Sequence, residues 1–287
     1  MPLKAAGFDP FRLVRLVGGH RNGGIVCVFT CYLDDSNAEG AAVYVLAGYV
    51  APIDAWERYE TQSEKVYQNY GVNVLDSKLL NATRGPYKGW SKVKKRSFVQ
   101  ELMEIAAPEL SFGLSVAIQK STFKEFKKSH KKISSMSPYG AIFGFLITVL
   151  YSDRIPNKFL NEIRRKGVSF VVESGNKNNS NISDCFSSMK DSPLYGDSIR
   201  SLTFLGKKDC RAIHLADYNA FHSRKFQNAV SRLGDKMDVL ISHEYMDAIQ
   251  RVPHRFDLMR GVPSVRSETS EIIFSHLKGD WIGPLRP

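Results

Sequence analysis

Four acids of this 287-residue chain stand where strand ends or a sheet-packing helix could gather them. Asp34 follows the first apolar run, Asp76 sits in the loop after the first long helix, and Glu173 ends the run 168–173. Asp217 lies on a late helix beside Ile213, Ala216 and Ala220. An acid next to an apolar helix stripe is costly unless something pairs with it, and a divalent cation would supply that pairing. Hard ions such as Mg²⁺ and Mn²⁺ take oxygen ligands, so carboxylates are the donors such a site needs. Two ions roughly 3.5–4 Å apart activate water and stabilise the leaving oxygen in phosphodiester hydrolysis. The charge of four carboxylates balances two such ions, and the expected metal ligands are therefore Asp34, Asp76, Glu173 and Asp217. Asp35 is the candidate to orient water or complete the site, and Lys78 to bind the scissile phosphate. His214, on the same helix face as Asp217, could orient a ligand, contact phosphate or transfer a proton, its ordinary pKa lying near about 6.5.

Each residue also has a plainer reading. Asp34, Asp35 and Ser36 are turn formers of the kind that follow any strand. Asp76 and Lys78 could simply solvate a loop, Glu173 precedes an ordinary Ser-Gly-Asn turn, and Asp217 could bond a neighbouring backbone group. His214 could be a satisfied packing residue. Only the joint pattern points to chemistry.

The elements that must position these residues follow from periodicity. The run 25–33 (IVCVFTCYL) is apolar and β-branched, as a strand covered on both faces requires. A second strand at 42–50 after a short polar loop makes an antiparallel hairpin. Asp54 with Glu57 predicts a capped helix start, with Trp56, Tyr59, Ser63, Val66, Tyr67 and Tyr70 at helical spacing. Further helices are expected over 91–106, 120–132, 138–152, 180–190 and 211–224, and further strands over 111–118, 168–173 and 199–205. The expected fold class is α/β: one mixed sheet, opening with the hairpin and continuing with parallel strands, flanked by helices. A single domain spans 1–287, with its core at about 21–224 and a helical, loop-rich extension over 225–287.

Composition narrows the partners. Lys plus Arg number 40 against 29 acids, a formal charge of +11, which favours a polyanion such as nucleic acid. Lys120, Lys124, Lys127, Lys128, Lys131 and Lys132, anchored by Phe123 and Phe126, would make a phosphate-contacting helix face whose affinity falls with salt; the alternative is a merely solvated face. Lys92–Arg96 and Arg164–Lys166 are two further basic runs. The longest apolar run, 141–151, is short of the ~18–20 residues that span a bilayer, and the N-terminus does not read as a secretory signal. Four cysteines without a Cys-x-x-Cys pair read as thiols of a reducing cytoplasm. No Walker-type loop, Gly-x-Ser-x-Gly elbow or His-Glu-x-x-His motif is present.

Three short motifs in order, Tyr32-Leu33-Asp34-Asp35-Ser36-Asn37, Asp76-Ser77-Lys78 and His214-Leu215-Ala216-Asp217, resemble those of the family labelled domain of unknown function 3800. Its members typically carry Tyr-Ile-Asp-Glu-Ser-Gly, a Glu-Leu-Lys-like loop and Gln-Leu-Ala-Asp, and Glu173 stands at the family's third acidic position. Asp35, Asn37, Asp76 and His214 depart from that pattern. The resemblance covers roughly 25–224 and implies a ribonuclease H-like fold with helical insertions. It also suggests a role in bacterial defence or a mobile element, with a protein partner or a second copy of the chain. The expected function is a metal-dependent nuclease of the cytoplasm using two Mg²⁺ or Mn²⁺ ions. The alternative is a non-catalytic module that binds nucleic acid or protein on the same fold.

Overall fold

A computed structural model of the chain describes residues 29–129, 136–152, 155–174, 179–233, 251–259, 264–266, 271–273 and 277–282. The first strand, β1 (Phe29–Ser36), is buried along nearly its whole length, as its apolar run demands. It does not stop before the acids. Asp35 pairs with Leu46 and Ser36 with Val45 on β2 (Val43–Pro52), so Asp34 and Asp35 are strand residues rather than turn residues. Residues 25–28 of the expected strand lie outside the described residues.

After β2 come helices α1 (Ile53–Tyr70), α2 (Ser77–Ala82) and α3 (Lys92–Glu109), then β3 (Phe112–Gln119). Helices α4 (Lys120–Ser129), α5 (Pro138–Leu150) and α6 (Asn157–Lys166) precede β4 (Val168–Glu173). Helix α7 (Asn179–Lys190), β5 (Ile199–Leu205) and helix α8 (Ala212–Leu233) follow. The C-terminal part adds β6 (His254–Met259), β7 (Ser264–Arg266), β8 (Glu271–Ile273) and β9 (Leu277–Ile282).

The main sheet runs β5-β4-β1-β2-β3-β6-β9, and β7-β8 form a separate ribbon. The β1-β2-β3 meander is antiparallel, β4 and β5 run parallel to β1, β6 runs parallel to β3, and β9 is antiparallel to β6. Alternation of side chains along each strand divides the core in two. Tyr32, Val45, Ala47, Tyr49 and Val171 face α1, α3 and α8. Cys31, Leu33, Leu46, Leu114, Val116 and Phe170 face α4, α5, α6 and α7. The apolar run 141–151 belongs to α5, which begins where expected, with the Ser137 hydroxyl accepting from Gly140 N at 3.1 Å. Thirteen residues rise only about 20 Å against a hydrocarbon layer of about 30 Å. Among the described residues no helix is long and apolar enough to cross a membrane.

Four expectations need correction. No capping box opens α1: the helix starts behind Pro52 without a side-chain cap, and the Asp54 carboxylate pairs instead with Arg58 at 2.9 Å. Asp76 ends the expected loop, but Ser77 and Lys78 already belong to the short helix α2. Helix α6 was not expected; its Leu160 and Ile163 close the lower core. The region beyond 225 is not only helix and loop, since β6 and β9 extend the sheet past β3. In β6 the alternating charges Arg255 and Asp257 look solvated in sequence, yet both are buried and neutralise each other through two hydrogen bonds of 2.8 and 3.0 Å.

Helix α8 is tied to β1 and the start of β2 by several hydrogen bonds, among them Arg224 Nε donating to Ser36 Oγ at 3.0 Å and Ala42 N donating to Asn228 Oδ1 at 2.7 Å. Asn219 Nδ2 donates to the Gly48 carbonyl at 2.7 Å. Only glycine fits there: a Cβ at position 48 would lie 1.7 Å from the Tyr32 carbonyl oxygen. This contact helps set where the same turn of α8, with Asp217 two residues earlier, meets the sheet.

Candidate metal centre

The pairing of β1 with β4 builds the first half of the site. Leu33 pairs with Val172 in parallel register, so Asp34 and Glu173 are the next residues on adjacent strands. Each lies two residues beyond a side chain of the α8-facing core, Tyr32 and Val171, and so shares that face. From above, α8 brings in Asp217. One carboxylate oxygen from each of Asp34, Glu173 and Asp217 falls in a group whose members all lie within 4.8 Å of one another. Asp34 is 3% exposed and Asp217 9%. Burial, a hydrogen bond to Glu173 and the neighbouring charge of Asp217 push the Asp34 carboxyl well above the usual range, against the pull of Lys207.

Lys207, in the loop between β5 and α8, completes the site, and nothing in the sequence reading singled it out. Its Nζ donates to Asp217 Oδ1 at 2.6 Å and lies 3.4 Å from Glu173 Oε1. Burial works against its charge, but Asp217 and Asp34 outweigh that and raise its pKa. The available signal was topological: the loop leaves the C-terminal end of β5, which is parallel to β4 and β1 and therefore opens at the same sheet end as Asp34 and Glu173.

The other sequence candidates fall elsewhere. Asp76 is not in the acidic group; its Oδ1 caps α2 by accepting from Leu79 N at 2.8 Å. Its segment still touches the site, because Ser77 N donates to Asp217 Oδ2 at 2.7 Å. The buried Tyr87 hydroxyl fixes that segment, accepting from Asp76 N at 3.0 Å and donating to Val74 O at 2.6 Å. Asp35 points to the opposite face of the sheet, where α5 presents Tyr139, and burial pushes its pKa up to about 6. Lys78 is exposed on α2.

His214 takes the packing role. Its Nε2 meets the Lys207 carbonyl at 2.6 Å, which can only accept, so Nε2 carries the proton. Nδ1 is then the acceptor for the Tyr67 hydroxyl at 2.7 Å. Burial lowers the His214 pKa to about 4. The ring thus ties the Lys207 backbone to α1 and touches no member of the acidic group by a hydrogen bond. A polar cleft of about 430 Å³ opens beside it, lined by Glu60, Glu64, Lys208 and Arg211 among others.

The basic helix α4 begins at the same end of the sheet. Gln119 pairs with Val43, and Lys120 Nζ reaches the Ala38 carbonyl in the loop after β1 at 3.4 Å. Phe123 and Phe126 are buried as anchors, while Lys124 and Lys128 are exposed and Lys127 partly so. Lys131 and Lys132 lie outside the described residues. Of the other basic runs, Arg165 and Lys166 pair locally with Glu162, and Lys94 stacks over Trp90 at 4.4 Å. Of the cysteines, Cys31 and Cys210 are buried free thiols, Cys185 is a partly buried one, and Cys27 lies outside the described residues. Comparison with protein-family models, with curated proteins and with solved structures returned no match.

Proposed function

We propose that the chain is a metal-dependent nuclease hydrolysing phosphodiester bonds of nucleic acid, built on a ribonuclease H-like sheet. The observation that carries this reading is the convergence of Asp34, Glu173 and Asp217 within 4.8 Å at one end of the sheet. Three buried or half-buried carboxylates offer oxygen donors only, which is the donor set of Mg²⁺ or Mn²⁺ rather than of zinc. The strand order β3-β2-β1-β4-β5, three antiparallel strands followed by parallel ones, supports a ribonuclease H-like reading, with helices α1–α3 inserted between β2 and β3. A bound divalent ion would supply an activated water and charge stabilisation at the phosphate.

The chain's own residues account for the rest. Asp34 and Glu173 hold their oxygens in place through the β1-β4 ladder. Asp217 is oriented by the Ser77 amide on Oδ2 and Lys207 on Oδ1, with one of its oxygens within 4.8 Å of those of the two strand acids. Helix α4, with Lys120, Lys124, Lys127 and Lys128, offers phosphate contacts at the same sheet end. An in-line attack by water would leave 5′-phosphate and 3′-hydroxyl ends.

The test is incubation of purified protein with single- and double-stranded DNA, RNA and hybrid, in Mn²⁺, Mg²⁺ or chelator. Metal-dependent cleavage, lost in Asp34→Asn and Asp217→Asn, is the expected result. Cleavage that persists in both variants refutes the assignment. Salt-sensitive nucleic-acid binding that ignores metal, with no cleavage, identifies a binding module instead.

A further inference from the structure

We propose that Lys207 stands in for one of the two metal ions, so that the site takes a single divalent ion with the lysine ammonium as its second cation. This rests on the metal-centre reading above and deepens it. Three observations meet here. First, the fourth carboxylate that a second ion would need is not in the acidic group: Asp76 lies outside it and gives its Oδ1 to capping α2. Second, oxygens on opposite sides of one Mg²⁺ or Mn²⁺, at about 2.1 Å each, stand roughly 4.2 Å apart. A group contained within 4.8 Å is the size of one coordination sphere. Third, a cation is already seated against two of the three acids, with Nζ at 2.6 Å from Asp217 and 3.4 Å from Glu173.

Charge balance agrees. Three carboxylates and one ammonium leave two negative charges, which one divalent ion neutralises; two ions would leave the pocket positive. The lysine is also built in from behind. His214 donates to its carbonyl, and the loop is closed by Gly206 N donating to Asp209 Oδ2 at 2.8 Å. Ser174 N, next to Glu173, donates to Leu205 O at 2.7 Å, tying the Glu173 strand end to the start of the same loop. An ammonium so placed would sit beside the phosphate, where it would stabilise developing negative charge without a second ion.

Isothermal titration of the purified chain with Mn²⁺ alone tests this, on wild type, Lys207→Gln and Asp34→Asn. The expected wild-type stoichiometry is one ion per chain. Lys207→Gln should still take one ion, about tenfold tighter because a like charge has gone, and that binding itself reports a folded site. Its Mn²⁺-dependent cleavage should fall about 100-fold, with part of the loss restored in Lys207→Arg. Two ions per wild-type chain overturn the inference while leaving the metal reading intact. Undiminished cleavage by Lys207→Gln also overturns it, and makes the lysine a plug that the metal displaces. A wild type that binds no Mn²⁺ removes the metal reading, and this inference with it.

Discussion

Replacing His214 by glutamine should invert the stability order of two proteins between pH 7.5 and pH 5. The ring is 1% exposed, donates to the Lys207 carbonyl and accepts from the Tyr67 hydroxyl. Its pKa falls from 6.5 to about 4, chiefly because burial disfavours the imidazolium. A histidine depressed in the folded state favours folding above about pH 6.5, and that contribution is lost as pH falls towards 4, where the unfolded chain binds the proton first. Linkage between those two values makes the loss about 2 kcal/mol at pH 5 and about 3 kcal/mol at pH 4. Glutamine does not titrate and can still donate to the Lys207 carbonyl, but it gives up the imidazole acceptor opposite Tyr67. The cost of that one buried hydrogen bond is about 1 kcal/mol. His214→Gln should therefore be about 1 kcal/mol less stable than wild type at pH 7.5 and about 1 kcal/mol more stable at pH 5. Urea unfolding at both pH values, in chelator, reads the difference directly. The other groups that titrate in this range, including the buried His254 and Asp34, are common to both proteins and cancel to first order. Curves that stay parallel from pH 7.5 to pH 5 refute the buried, neutral histidine.

Four further outcomes follow from the same geometry. Asp34→Asn should raise the thermal midpoint in chelator at pH 8: a carboxyl whose pKa is raised by burial and like charge stabilises below its unfolded pKa, and that stability is lost as pH rises through the raised value. The same variant should lose the Mn²⁺-induced rise, which in wild type should be about 4–5 °C at a hundredfold excess over Kd; an equal rise in both proteins contradicts the ligand assignment. Gly48→Ala should destabilise the fold by about 3 kcal/mol or more in urea unfolding, because the new Cβ meets a β1 carbonyl, and a neutral substitution would contradict the close approach. Lys124→Ala combined with Lys128→Ala should weaken nucleic-acid binding and flatten the log–log salt dependence by roughly 1–2, as read by filter binding across salt concentrations; an unchanged slope places the phosphate contacts elsewhere.

Much of the architecture is written in local periodicity. The continuous apolar runs of β1, β2 and β4 and the Ser137-Pro138 start of α5 have few alternative structures, and the hairpin and the helices between β2 and β3 follow from them. Asp34, Glu173 and Asp217 were legible because each interrupts an apolar pattern that otherwise makes a strand or a core helix. Asp76 misled because an acid before a short helix has the same local sequence whether it binds a cation or caps the helix. Asp35 misled for a related reason. It adjoins Asp34 in sequence, but strand alternation sends the two side chains to opposite faces once the strand extends to Ser36.

What was hidden depends on pairing across the fold. Lys207 looks like one of two loop lysines until the parallel register of β4 and β5 sets its loop against Glu173 and Asp217. Strand β6 carries Arg255 and Asp257, charges that are cheap to bury only because each satisfies the other two residues away. His214 could serve either chemistry or packing by its type. Its partners decide, and both of them, the Tyr67 hydroxyl and the Lys207 carbonyl, are structural.

The most direct measurement is a crystal grown or soaked in MnCl₂ with data collected at the manganese absorption edge. The account predicts one anomalous peak bounded by oxygens of Asp34, Glu173 and Asp217, with Lys207 Nζ still beside Asp217. Crystals that show no peak there, with the three acids engaged only with Lys207 and one another, would contradict it and leave the cluster a buried ion-pair network.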